Sequence, residues 1–160
     1  MRTHMSSHTA SAQPAHVLEV LTDPAACGRW APIAFTTEHA CGERLQAGTR
    51  TRLQGAVAGR NVSFEVEVLA DDRGLSLCAI GPVGLEVDYR LTPAAPGTLI
   101  DAQITLTQAG GITGAVVSRV TDAVLSAGAL RCALRAIAAE AEQLQHDHIE
   151  RKTTDAPTGP

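Results

Sequence analysis

Residues 111–146 read GITGAVVSRVTDAVLSAGALRCALRAIAAEAEQLQH. Apolar side chains recur at Val116, Val120, Ala123, Ala127, Leu130, Leu134, Ile137, Ala141 and Leu144. That is the three-and-four spacing of one helix face, and it predicts a single helix over about 112–146. Val117 and Val124 widen the apolar stripe toward the N-terminal half. Arg131 and Arg135 put a polar flank further on. At ~1.5 Å per residue such a helix is roughly 50 Å long, longer than a domain of this size is wide. Its apolar face must lie along something broad, with Leu134 buried near the middle of the stripe.

The residues before it supply that surface. Val62, Phe64, Val66 and Val68 alternate with Ser63, Glu65 and Glu67, the period of a strand with one buried and one solvated face. The alternation returns in 75–79, 85–91 and 100–106, with turn residues at 71–74, 81–82 and 93–97. Residues 61–106 thus predict four consecutive antiparallel strands. Upstream, 33–39 and 49–53 read as two more, with 55–59 as a hairpin connection, and 4–12 as a weak first strand. Between that first strand and Ile33, Pro14 opens a short helix bearing Val17, Leu18, Val20 and Leu21. Proline is tolerated there because the first turn has no use for its missing N–H. Thr22-Asp23-Pro24 stops this helix, and 25–29 form a second that leads to Trp30.

The fold class is therefore α+β: a curved antiparallel sheet of about seven strands around one long C-terminal helix, with two short helices after strand 1. Residues 4–150 make one domain. The polar tail at 151–160 is expected to be disordered. Aromatic residues amount to 2% of the chain, namely Trp30, Phe35, Phe64 and Tyr89, so the core is aliphatic and offers little stacking surface for bases. A net charge of −4 also argues against a nucleic-acid partner. Cys27, Cys41, Cys78 and Cys132 show no CxxC or zinc spacing, as expected of reduced thiols in a cytoplasmic protein. Residues 1–12 lack the apolar run of a signal peptide, and no stretch is apolar enough to span a membrane.

The order of elements resembles the helix-grip fold of the START-like superfamily (SRPBCC), which includes polyketide cyclases/dehydratases and lipid-transfer proteins. VLEVLTDPAACGRWAP at 17–32 is similar to the family's V-x-x-x-L-T-D-P…W-x-P opening. Gly48-Thr49-Arg50 follows in place. Tyr89-Arg90-Leu91-Thr92-Pro93 with Gly97-Thr98 resembles its Y-x-L-x-P…G-T strand pair. The glycine-rich run at 110–114 and the Ala-Leu pairs of the last helix also fit. The likeness covers roughly 4–146. It implies a cavity for a small hydrophobic molecule and no cofactor, but one fold hosts many activities.

Sheet alternation and helix spacing together place that cavity. Trp30, Phe64, Val66, Leu77, Val87, Tyr89, Ile104, Val120 and Val124 are expected to surround a space of ~300–1,000 Å³, because so few aromatic rings leave a wide sheet hard to fill. Tyr89 and the Trp30 indole would be its polar points. No catalytic residue follows from spacing. Glu65, Glu67, Glu86, Asp88, Arg90 and Asp101 alternate onto the wet face, and the parity of Glu38 and His39 is undetermined. The run 109–114 approaches GxGxxG, but Ala109 replaces the first glycine and no strand follows the helix, so no βαβ unit forms. Thr113 reads instead as an N-cap. His146 and His148 sit two apart and so on different helix faces, which argues against a metal site. Three functions stay open: a hydrophobic-ligand binder with cyclase/dehydratase-like activity in specialised metabolism, a non-catalytic lipid or metabolite carrier, and a protein-interaction module with a closed core. Oligomeric state is not legible.

Overall fold

The computed structural model describes residues 1–31, 36–37, 44–57, 59–107 and 110–154. Strand β1 (Arg2–Ala10) precedes helices α1 (Pro14–Thr22) and α2 (Pro24–Trp30). Strands β2 (Thr36–Thr37), β3 (Arg50–Val57), β4 (Arg60–Ala70), β5 (Gly74–Ile80), β6 (Gly84–Ala94) and β7 (Gly97–Thr107) follow, then helices α3 (Gly111–Ser126) and α4 (Ala129–Thr154). The strands form a seven-stranded sheet in the order β1-β7-β6-β5-β4-β3-β2, with every pairing antiparallel. The expected meander over 61–106 is present as β4 to β7. Strand β3 runs on to Val57, so the connection to β4 is tighter than the 55–59 hairpin predicted. Of the strand expected over 33–39, only Thr36 and Thr37 are described. Glu38 and His39 lie outside the described residues, as does 155–160 of the tail. Helix α4 continues to Thr154, four residues past the expected domain boundary.

Register turns alternation into rows of inward side chains. One row runs Thr51, Val66, Ala79, Leu85, Leu106 across five strands, and its neighbour runs Val68, Leu77, Val87, Ile104. A third joins Leu75, Tyr89 and Ala102. The opposite face carries cross-strand ion pairs, Arg50 with Glu67 and Arg52 with Glu65.

The long C-terminal helix is two helices. Gly128 has φ +98° and ends α3 as its C′ residue, donating its N–H to the Leu125 carbonyl at 3.2 Å. A residue with a Cβ resists that left-handed backbone, so glycine is the usual occupant of this position. Beyond the break, Leu130, Leu134, Ile137 and Ala141 are buried, the stripe read from the sequence. Before it, the buried residues are Gly114, Val117, Thr121 and Leu125, not Val116, Val120 and Ala123. The stripe is displaced by about one residue because Gly128 resets the helical phase. A period carried backward across the break lands on the neighbouring face. Thr113 is not the N-cap either. Gly110 holds that position, and the Thr113 hydroxyl instead accepts from Arg60 Nη1 at 3.4 Å.

Helix α4 packs against β1, α1 and α2, and its outer ties hold it there. Arg29 makes a two-point ion pair with Glu140 at 3.0 Å, and Asp23 caps α2 through the Ala25 N–H at 3.0 Å. Leu134 has no exposed surface. Leu134→Ala is expected to cost about 2–5 kcal/mol in denaturant unfolding, as for other fully buried leucines. Gly128→Ala should cost about 1–2 kcal/mol by straining the left-handed backbone, with no change in the apolar surface buried. Unchanged melts for either variant would refute the corresponding assignment.

Candidate functional site

Between the inner face of the sheet and α3 lies a cavity of about 160 Å³. Its floor is built from Phe64, Val66, Leu77, Val87, Tyr89 and Ile104, its side from Cys27 and Trp30, and its roof from Val117, Thr121 and Leu125. The structure brings together seven of the nine residues singled out from the sequence. Val120 and Val124 do not face this space, because the phase reset at Gly128 turns Val117, Thr121 and Leu125 toward it instead. The volume also falls below the expected range. Trp30 meets Tyr89 edge-on with ring centres 5.3 Å apart, and both rings occupy the wall of this space.

The lining is almost wholly hydrocarbon. Trp30 contributes none of its polarity, because its indole N–H donates to the Val20 carbonyl at 3.3 Å. The indole is therefore a structural tie between α1 and α2 and not a polar point for a ligand. Among the described wall residues the ionisable groups are Cys27 and Tyr89. Burial pushes the Cys27 thiol up to about 12, with the nearby Asp23 carboxylate acting in the same direction. The thiol lies 3.6 Å from the Leu21 carbonyl. Burial likewise raises the Tyr89 phenol above its ordinary 10.0, with a smaller contribution from Cys27. Both stay protonated near neutral pH, where neither serves as a base or a thiolate nucleophile. Tyr89 is 3% exposed, and no hydrogen bond to its hydroxyl is found among the described residues. It presents a neutral O–H donor to an apolar space.

Ionic groups sit outside this wall. His4 Nε2 lies 2.9 Å from Asp122 Oδ1, and Arg2 pairs with the other oxygen of the same carboxylate, tying β1 to α3. Among the described residues no group of three or more His, Cys, Asp or Glu side chains is placed to hold a metal. No described helix is long and apolar enough to cross a membrane. Cys27, Cys78 and Cys132 are free thiols.

A family model described as polyketide cyclase / dehydrase and lipid transport matches residues 1–142. Among solved structures, the ZhuI aromatase/cyclase from Streptomyces sp. R1128 superposes with a TM-score of 0.65 at 20% identity, covering 89% of this chain and 94% of that one. A Thermus thermophilus protein, TTHA0849, gives 0.64 at 17% identity over 89% and 99%. DynU16, described as a putative protein of the dynemicin biosynthetic locus, gives 0.58 at 20% identity over 88% of this chain and 47% of its own. These likenesses establish the helix-grip fold. No curated protein matches the chain.

The Cys27 shift has a signed consequence. The unfolded thiol ionises near 9.0, whereas the folded one holds its proton to about 12. Between those values the folded state binds the extra proton, so its stabilising contribution is lost as pH rises through that window. Denaturant midpoints should therefore fall as pH rises from about 9 toward 11, and fall less in Cys27→Ala. Near pH ~8, below the ordinary thiol pKa, alkylation followed by peptide mass spectrometry should mark exposed Cys132 well before Cys27. Equal rates would show that the cavity wall is open at Cys27.

Proposed function

The chain belongs to the polyketide cyclase / dehydrase and lipid transport family, and from that membership we propose that it binds a compact, neutral, mostly hydrocarbon molecule between the sheet and α3. The observation that carries this reading is the Tyr89 hydroxyl, a neutral donor in a mostly hydrocarbon wall whose other residues with polar side-chain atoms include Cys27, Thr51, Gln54 and Thr121. A ligand with a carbonyl or ether oxygen would accept a hydrogen bond from that hydroxyl. Charged or phosphorylated molecules are disfavoured, because none of the described wall residues is a cation. The reading of a closed interaction module is less well supported, since the space under α3 is not filled.

Between binding and catalysis, the wall chemistry favours binding. Proton abstraction needs a group ionised near the working pH, and Cys27 and Tyr89 are both held neutral. Within a cyclase-like reaction the contribution of Tyr89 would be to polarise a substrate carbonyl by donating a hydrogen bond. The proposed setting is the cytoplasm, in keeping with the free thiols.

Titration with a panel of environment-sensitive apolar fluorophores tests the site. The wild type should bind at least one of them. Val117→Trp, which projects into the cavity, should abolish that binding, whereas Val120→Trp should leave it unchanged. Tyr89→Phe should weaken a carbonyl-bearing ligand by about 2–13-fold, the worth of one hydrogen bond, and leave a pure hydrocarbon probe unaffected. Binding that survives Val117→Trp, with circular dichroism showing an intact fold, would refute the site.

A further inference from the structure

We propose that His16 on α1 and His148 on α4 form a two-histidine site for a divalent transition-metal ion, separate from the apolar cavity. Their ring centres are 5.2 Å apart with planes tilted by 49°. With metal–nitrogen bonds of about 2.0–2.1 Å and a tetrahedral angle, two ligating imidazoles place their ring centres roughly 5 Å apart. His148 Nδ1 lies 3.1 Å from the Leu144 carbonyl oxygen. A carbonyl only accepts, so Nδ1 donates, and in the neutral ring the lone pair is left on Nε2. A backbone carbonyl that fixes the tautomer of a ligating histidine is the usual outer support of such sites. Among the described residues His16 Nδ1 is buried without a hydrogen-bond partner, and an unpartnered buried nitrogen is the atom that a metal would satisfy.

The two helices are already held in register around the pair. The Ser11 N–H donates to Glu142 Oε1 at 2.9 Å, and the Gln13 N–H donates to Gln145 Oε1 at 2.7 Å. His16 and His148 each lie three residues beyond the second of these contacts, so the rings meet without further adjustment of either backbone. Among the described residues no third side-chain ligand is placed nearby. The protein therefore contributes two nitrogens and water the remainder, a donor set suited to Zn²⁺, Ni²⁺ or Cu²⁺ and not to Mg²⁺ or Ca²⁺. An ion there would clamp the C-terminal turns of α4 to α1.

The test is calorimetric titration of the untagged full chain with ZnCl₂ and, separately, with MgCl₂. One zinc per chain is expected, with no heat from magnesium. Thermal unfolding should shift upward with zinc, because an ion that binds only the folded state stabilises it by mass action. His148→Ala, at an exposed position, and His16→Gln should each weaken zinc binding by about tenfold or more, since each removes one of two protein ligands. His146→Ala should not. Electron paramagnetic resonance of the Cu²⁺ form should show coupling to two nitrogens. No zinc binding, or binding that either variant leaves unchanged, would overturn the site and reduce the pair to a ring contact.

Discussion

The left-handed backbone at Gly128 sets the rest of the arrangement. A continuous helix would have to offer one straight stripe to both the packed end of the sheet and the hollow end. Breaking the helix separates these demands. Helix α4 turns Leu130, Leu134, Ile137 and Ala141 into the closed core against β1, α1 and α2. Helix α3 turns Val117, Thr121 and Leu125 over the cavity. A glycine suits the break because the residue that ends α3 takes a positive φ. The roof of the cavity follows from that residue.

The sheet is legible because its signal is local and strict. Period-two alternation in 61–106 assigns each side chain to one face without knowledge of the partner strand, and the register then places the floor residues Phe64, Val66, Leu77, Val87, Tyr89 and Ile104 together. The roof is not legible to the same degree. Helix phase is cumulative, so the break at Gly128 shifts every residue before it, and an unbroken period assigns Val120 and Val124 to a face that Thr121 and Leu125 occupy. A glycine inside a helical pattern is tolerated as well as it terminates, and Ala127-Gly128 carries no further sign to decide between the two. The Trp30 indole shows a different limit. Its partner is the Val20 carbonyl, ten residues away on another helix, and no spacing rule reports that contact.

The chemistry of the cavity is set by what surrounds it more than by what points into it. Carboxylates and guanidiniums pair across the solvated sheet face or between β1 and α3. The groups left inside are ones that deep burial holds neutral. A hydroxyl and a thiol kept protonated in hydrocarbon give orientation and shape selectivity, and leave proton transfer to a group of a different kind.

The edge pairing of β1 with β7 has a consequence for how the chain assembles. Ala10 lies opposite Thr98 and Arg2 opposite Leu106, so the domain's first strand to leave the ribosome has no partner until its last strand has emerged. Contacts of such sequence separation carry a large loop-closure cost before they are rewarded, and proteins built on them fold slowly for their size. During synthesis β1 is a free, unpaired edge. Its composition suits that wait: Thr3, Ser6, Ser7 and Thr9 stand beside Arg2, His4 and His8, a strand polar enough to remain unaggregated until β7 arrives.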